Sequence, residues 1–192
     1  MTARAAKAAG AAFAHSGRWR QYRFLVQLLA DGYGPAEQPA RGRVLAEAAE
    51  AARWAGQPGH AVELGRRAEP LLDDPTDRAR QQERLGRALW DNGSPLEAAI
   101  AYDRADQLAR ELDEPALRAR ITASRARLAI QAGRYTEAIA AAELAITLAA
   151  EGAAPAEDAR ARAVLGMCEV LTGEIEEGLA ELRRAQTATA RW

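Results

Sequence analysis

A glycine that returns at a near-constant interval constrains this chain more than any other feature. Gly17, Gly56, Gly93, Gly133 and Gly173 are separated by steps of 39, 37, 40 and 40 residues. Five residues after the last four of them stands a small residue: Ala61, Ala98, Ala138 and Gly178. The first copy is degenerate and carries Tyr22 there. A spacing near forty fits a pair of helices repeated in tandem. A glycine between two helices supplies the left-handed residue that stops the first. The small residue then falls one turn into the second helix, where a large side chain would hold the pair apart. Pro58 and Pro95 sit at the start of second helices, where a missing N–H costs nothing. Ser94 with Glu97 reads as a capping box, Thr136 with Glu137 does similar work, and Thr76 reads as a cap.

The pattern predicts first helices over about 3–16, 40–55, 76–92, 115–132 and 156–172, and second helices over about 19–30, 59–72, 96–112, 135–151 and 175–190. Gly32-Tyr-Gly-Pro-Ala-Glu-Gln-Pro39 is too rich in glycine and proline to be helical. The expected architecture is all-α: a right-handed α-solenoid of about five antiparallel helix pairs. It comprises an atypical first pair over 1–31, a loop over 32–39 and four pairs over 40–192 in one continuous domain. Composition agrees. Apolar residues are 48% of the chain but aromatics only 5%, and alanine fills the difference, which favours closely packed helices over the pleated faces of sandwiches and barrels. A net charge of −1 gives no pull toward nucleic acid or anionic membrane. No window is apolar enough to span a bilayer, no secretory signal is evident, and the single Cys168 fits a reducing cytoplasm.

The residues Leu85-Gly86, Leu89, Gly93, Ala98, Tyr102 and Ala105 resemble a tetratricopeptide repeat. Gly133, Tyr135, Ala138 and Ala145 continue the resemblance, as do Leu165-Gly166, Gly173, Gly178 and Ala185. The period is longer than the family's thirty-four, and the closing proline is replaced by looser joints. The long, arginine- and alanine-rich copies are similar to the sensor region of large ATP-binding LuxR-type (maltose-regulator-like) transcription regulators of actinobacteria. That resemblance implies an array that binds an effector or partner, beside ATPase and DNA-binding domains. Neither a phosphate loop nor a basic helix-turn-helix occurs in this sequence.

Arginines recur in the same register. Arg80, Arg120 and Arg160 occupy one place in successive first helices, with Arg43 in the slot before them. Arg87 and Arg127 repeat two turns further on, with Arg53 near that level. Trp54 and Trp90 fall close to the same face. In a tetratricopeptide-like array these side chains would line a groove offering guanidinium forks and aromatic planes, suited to carboxylates and phosphates. The occupant would be a protein or acidic peptide, or an anionic small effector. Two plainer readings stand beside it. The arginines could be solvated, or paired with Glu47, Glu50, Glu83 and Asp91, and the tryptophans could pack between helices. Trp19, Tyr22 and Phe24 would then stabilise the first pair, and Trp192 ends the chain. In the last helix Leu179 and Leu182 are expected inward, with Glu181 partly outward.

No catalytic centre emerges. His15 and His60 lack a second ligand at metal spacing, and Cys168 reads as a small buried hydrophobe. Asp73-Asp74 and Glu176-Glu177 lie at joints and helix starts, where they favour the helix dipole. The sequence therefore points to a non-catalytic binding module without cofactor or metal, working in bacterial signalling or transcriptional regulation. The alternatives are a detached piece of a multi-domain regulator, or a self-associating scaffold that dimerises through its end repeats.

Overall fold

The computed structural model describes residues 19–34 and 37–189. The expected helix over 3–16, with Gly17, His15 and Trp192, lies outside them, as does any side-chain role for Trp19. Among the described residues there are helices and no strands. They are α1 (Trp19–Asp31), α2 (Gln38–Trp54), α3 (Pro58–Ala68), α4 (Pro75–Asp91), α5 (Pro95–Arg110), α6 (Pro115–Gln131), α7 (Tyr135–Glu151), α8 (Pro155–Thr172) and α9 (Ile175–Thr189). A 3₁₀ turn, Glu69–Leu71, extends α3. The chain divides into two compact units, Met1–Leu108 and Ala109–Trp192, and α5 runs across the division.

Each repeat glycine among the described residues does what its spacing requires. Gly56, Gly93, Gly133 and Gly173 have φ of 71°, 78°, 71° and 104°. Each closes the helix before it with the same pair of backbone bonds. Gln57 N donates to the Ala52 carbonyl at 3.0 Å and Gly56 N to that of Arg53 at 3.0 Å. Ser94 to Leu89, Arg134 to Ala129 and Glu174 to Glu169 repeat the longer bond at 2.9, 2.9 and 2.8 Å. This is the Schellman arrangement, which satisfies carbonyls that a helix end leaves orphaned.

Helix starts follow proline more than side-chain caps. Pro58, Pro75, Pro95, Pro115 and Pro155 are each the first residue of a helix. Pro39 is the second residue of α2, so that helix opens at Gln38, two residues before the expected start. The cap of α4 is Asp74, whose carboxylate accepts from Asp77 N at 2.9 Å. Thr76 is not the cap, because Pro75 already holds the first helical place and the capping residue must precede it. Thr136 likewise lies inside α7, whose first residue is Tyr135. Glu137 there pairs with Arg134 at 3.0 Å.

In the first unit α1 packs on α2, α2 on α3 and α3 on α4. In the second, α6 packs on α7, α7 on α8 and α8 on α9, with α6 also against α8. Alanine makes up more than half of the buried apolar positions, so helix axes come close. Ala61, Ala98 and Ala138 are at most 1% exposed. At α8–α9 even a methyl is excluded: a Cβ on Gly178 would stand 2.6 Å from the Gly166 carbonyl, and one on Gly166 would stand 2.5 Å from that of Gly178. Tyr102 of α5 lies across Gly86 of α4 in the same manner. The last helix departs from expectation. Leu179 is 41% exposed and Leu182 half-buried, while Glu181 is buried. The Gly166–Gly178 contact sets that rotation, turning Glu181 toward Arg162 of α8, with the two 3.0 Å apart.

One helix end breaks the pattern. After α7 the left-handed residue is Ala153, φ 45°, and not glycine. Gly152 stands one place too early because a Cβ there would meet Ala116 N of α6 at 2.6 Å. An alanine held left-handed costs roughly 1–2 kcal/mol. Ala153→Gly is expected to stabilise the chain by about 1 kcal/mol, a rise of ~2–4 °C in melting temperature. Gly152→Ala is expected to lower it. Thermal unfolding followed by circular dichroism checks both.

Candidate interaction site

The register arginines are largely engaged, and their partners lie on their own and on neighbouring first helices. In the first unit, Glu50 of α2 is the hub. It accepts from Arg87 Nη1 of α4 at 3.3 Å, from Arg53 at 3.5 Å and from Trp54 Nε1 at 2.8 Å. Arg87 also reaches back to Glu83, its Nη2 donating to Oε2 at 3.1 Å. Arg53 donates to Asp91 of α4 at 2.9 Å, and Arg84 of α4 to Glu47 of α2 at 3.0 Å. Arg43, more exposed, lies 3.5 Å from Asp77. Glu83 is only 1% exposed, so Arg87 is a counter-ion the fold requires.

Burial alone would push the Glu50 carboxyl up. The guanidinium groups of Arg87, Arg53 and Arg84 outweigh that and hold it below the usual carboxylate value. Burial would pull Arg87 down, but Glu83 and Glu50 keep its pKa raised.

The second unit inverts the arrangement. The buried hub is Glu157 of α8, 5% exposed. Arg120 Nε of α6 donates to its Oε1 at 2.9 Å, and Arg160 Nη1 to its Oε2 at 2.6 Å. Arg127 is different. It is exposed, and among the described residues no carboxylate lies within 4 Å of it. Arg80 is exposed on α4.

The tryptophans split. Trp54 is 59% exposed, so it does not pack between helices. The Arg53 guanidinium lies 4.6 Å over its ring, a cation–π contact that fixes both. Trp90 is half-buried. Of the aromatic residues expected to support the first pair, Tyr22 is buried and Phe24 is 61% exposed on α1. Burial pushes the Tyr22 hydroxyl up to about 12.

Pairing at helical spacing within one helix is present, as Arg87–Glu83 and Arg53–Glu50, and pairs between helices add to it. The pairs Arg84–Glu47, Arg87–Glu50 and Arg120–Glu157 all have a separation of 37 residues. That equals the repeat step between α2 and α4 and is about one helical turn short of the 40-residue step between α6 and α8, so the bonds join successive first helices. Glu157 as a hub was missed, and an acid at this offset from a register arginine is the signal that could have revealed it.

Other chemistry is sparse. Cys168 is fully buried, and burial raises its thiol pKa, the opposite of activation. Among the described residues no three His, Cys, Asp or Glu side chains gather as metal ligands. His60 Nδ1 lies 2.5 Å from Arg23 Nη1, joining α3 to α1. Burial, then Arg23 and Arg67, hold its pKa below the usual imidazole value. No described helix is long and apolar enough to cross a membrane.

The fold has clear relatives among solved structures. A kinesin light chain-type protein of Podosopora anserina, built of nearly identical TPR-like repeats, is 19% identical with a TM-score of 0.71, covering 98% of this chain and 95% of that one. MamA is 19% identical at a TM-score of 0.62, covering 95% of each chain. The apo form of RapI is 12% identical at 0.71, covering 91% of this chain and 63% of that one. No family model matches the sequence. No curated protein matches it either. The chain has the tetratricopeptide-like helical-repeat fold, all-α throughout the described residues.

Arg87→Met strands Glu83 in the interior and is expected to cost about 3 kcal/mol. Arg127→Met is expected to change stability by less than about 0.5 kcal/mol. Urea unfolding separates the two. Stability is also expected to fall in two steps with acid. His60 has a lowered folded pKa, so its contribution is complete above the unfolded value of 6.5 and is lost as pH falls through the folded one. Glu50, lowered from 4.5, contributes above pH 4.5 and loses that contribution below it. His60→Gln should remove the first step and Glu50→Gln weaken the second, read as urea midpoints against pH.

Proposed function

We propose that this chain is a non-catalytic protein-interaction module whose first-helix face receives an acidic peptide segment of a partner, or an anionic small effector. The observation that carries the reading is Arg127. It occupies the register place of Arg87, yet it is exposed and, among the described residues, has no carboxylate within 4 Å. An unpaired, solvent-facing guanidinium on a rigid helix is a ready fork for a carboxylate or phosphate. The arginines of the first unit support the reading less, because Glu47, Glu50, Glu83 and Asp91 already occupy them. In the second unit Arg120 and Arg160, both held on Glu157, rigidify the face that carries Arg127; in the first unit Arg43, Arg53 and Arg87 tie its own first helices together. The module needs no cofactor and no metal.

The repeat fold supports a binding role, because the solved structures that resemble this chain are TPR-like arrays. The setting we propose is cytoplasmic bacterial signalling or transcriptional regulation. The sequence resemblance to the sensor arrays of LuxR-type regulators supports it, and a detached sensor from such a regulator is the alternative form of the same reading.

A fluorescein-labelled glutamate-rich peptide tests the proposal by anisotropy. Wild type should bind it with an affinity that falls as salt rises. Arg127→Glu should weaken binding at least tenfold with unchanged helicity. Binding that is absent, or indifferent to Arg127→Glu, overturns the acidic-ligand reading.

A further inference from the structure

The outer side of α9 carries an exposed apolar strip. Ile175, Leu179 and Leu182 are spaced by four and three residues, the a/d spacing of a heptad, and Leu182, half-buried against Gly166 of α8, forms the inner edge of the strip. Ile175 is 55% exposed and Leu179 41% exposed. Leu171, at the end of α8, is 52% exposed. Helical periodicity puts Ile175 and Leu179 on one side of α9, away from the Arg162–Glu181 bridge that ties α9 to α8. Isolated exposed leucines are ordinary, but Ile175 and Leu179 stand one turn apart on one side of α9, and the charges flanking them make that side a contact surface.

The charges beside the strip select the occupant. Glu176 and Arg183 are exposed, and among the described residues neither has an ion-pair partner within 4 Å. They stand seven residues apart, so both take the same heptad position, next to the strip on one flank of α9. A partner of a single charge sign would oppose one of them. An antiparallel copy of α9 opposes neither. With a two-fold axis close to Leu179, Glu176 of each copy faces Arg183 of the other, and Leu179 meets its own equivalent. Such self-complementarity is what an isologous interface demands.

We propose that α9, with Leu171 at its edge, is a homodimerisation surface: two copies of the chain pack α9 against α9 antiparallel, with two symmetric Glu176–Arg183 pairs. The surface does not include Arg127, so it stands or falls separately from the acidic-ligand reading. Its small apolar area puts it among weak, reversible contacts.

Sedimentation equilibrium of the full chain across ~1–500 μM tests it, because a weak dimer dissociates within that range. The expected result is a reversible monomer–dimer equilibrium. Leu179→Glu should shift the dimer midpoint at least tenfold toward higher concentration. Because Leu179 is exposed, its helicity should match wild type. Glu176→Arg and Arg183→Glu should each weaken association, and the double swap Glu176→Arg/Arg183→Glu should restore it. A monomer at every concentration overturns the proposal. So does a dimer indifferent to Leu179→Glu, or a double swap no better than the single ones. If the chain is monomeric yet still binds the glutamate-rich peptide through Arg127, the dimer fails while the binding module stands.

Discussion

Close approach of helices on alanine and glycine is the constraint from which the rest of this structure follows. Ala61, Ala98, Ala138 and the Gly166–Gly178 contact leave no room for larger side chains between paired helices. Such contacts are dense, which suits dispersion, but each alanine removes little apolar surface from water compared with a buried leucine. Helices then form largely because alanine and arginine favour them, and each hairpin depends on its neighbours to complete a core.

The ionic ties answer that shortage with specificity. Glu47, Glu50 and Glu157 meet arginines of the neighbouring first helix at a fixed 37-residue offset. A hairpin slid by one turn would lose these pairs, while Glu83 and Glu157 would keep only Arg87 and Arg160 of their own helices. Buried ion pairs add little net stability over apolar residues of the same size, but breaking one is costly. In this chain they fix register more than they add stability. The consequence for function is direct: an arginine that holds a neighbour in place is not free to hold a ligand.

What is left unengaged therefore defines the surfaces available for partners. Arg127 is a register arginine without an acid within reach among the described residues, and the flank of α9 keeps Glu176 and Arg183 beside an exposed apolar seam. The exposure of Trp54 does not add to these. Its ring lies under Arg53 and its N–H is held by Glu50, so it belongs to the register network.

The glycine interval alone determined the helix hairpins, because left-handed backbone is nearly closed to other residues and a helix must stop where the chain adopts it. Gly56, Gly93, Gly133 and Gly173 all carry positive φ, and the small residues after them are buried as the spacing requires. Helix starts were legible less well, since Asp74 and not Thr76 caps α4, and proline position decided most of them. The arginine register was visible in the sequence, but whether each arginine was paired was not. Pairing depends on which residues of two different helices come within about 4 Å, a distance set by how closely the alanine surfaces let those helices approach. The same holds for Leu179 and Glu181: heptad spacing is local, but the rotation that turns one outward and buries the other comes from a glycine-to-glycine contact between α8 and α9 that only the folded chain makes.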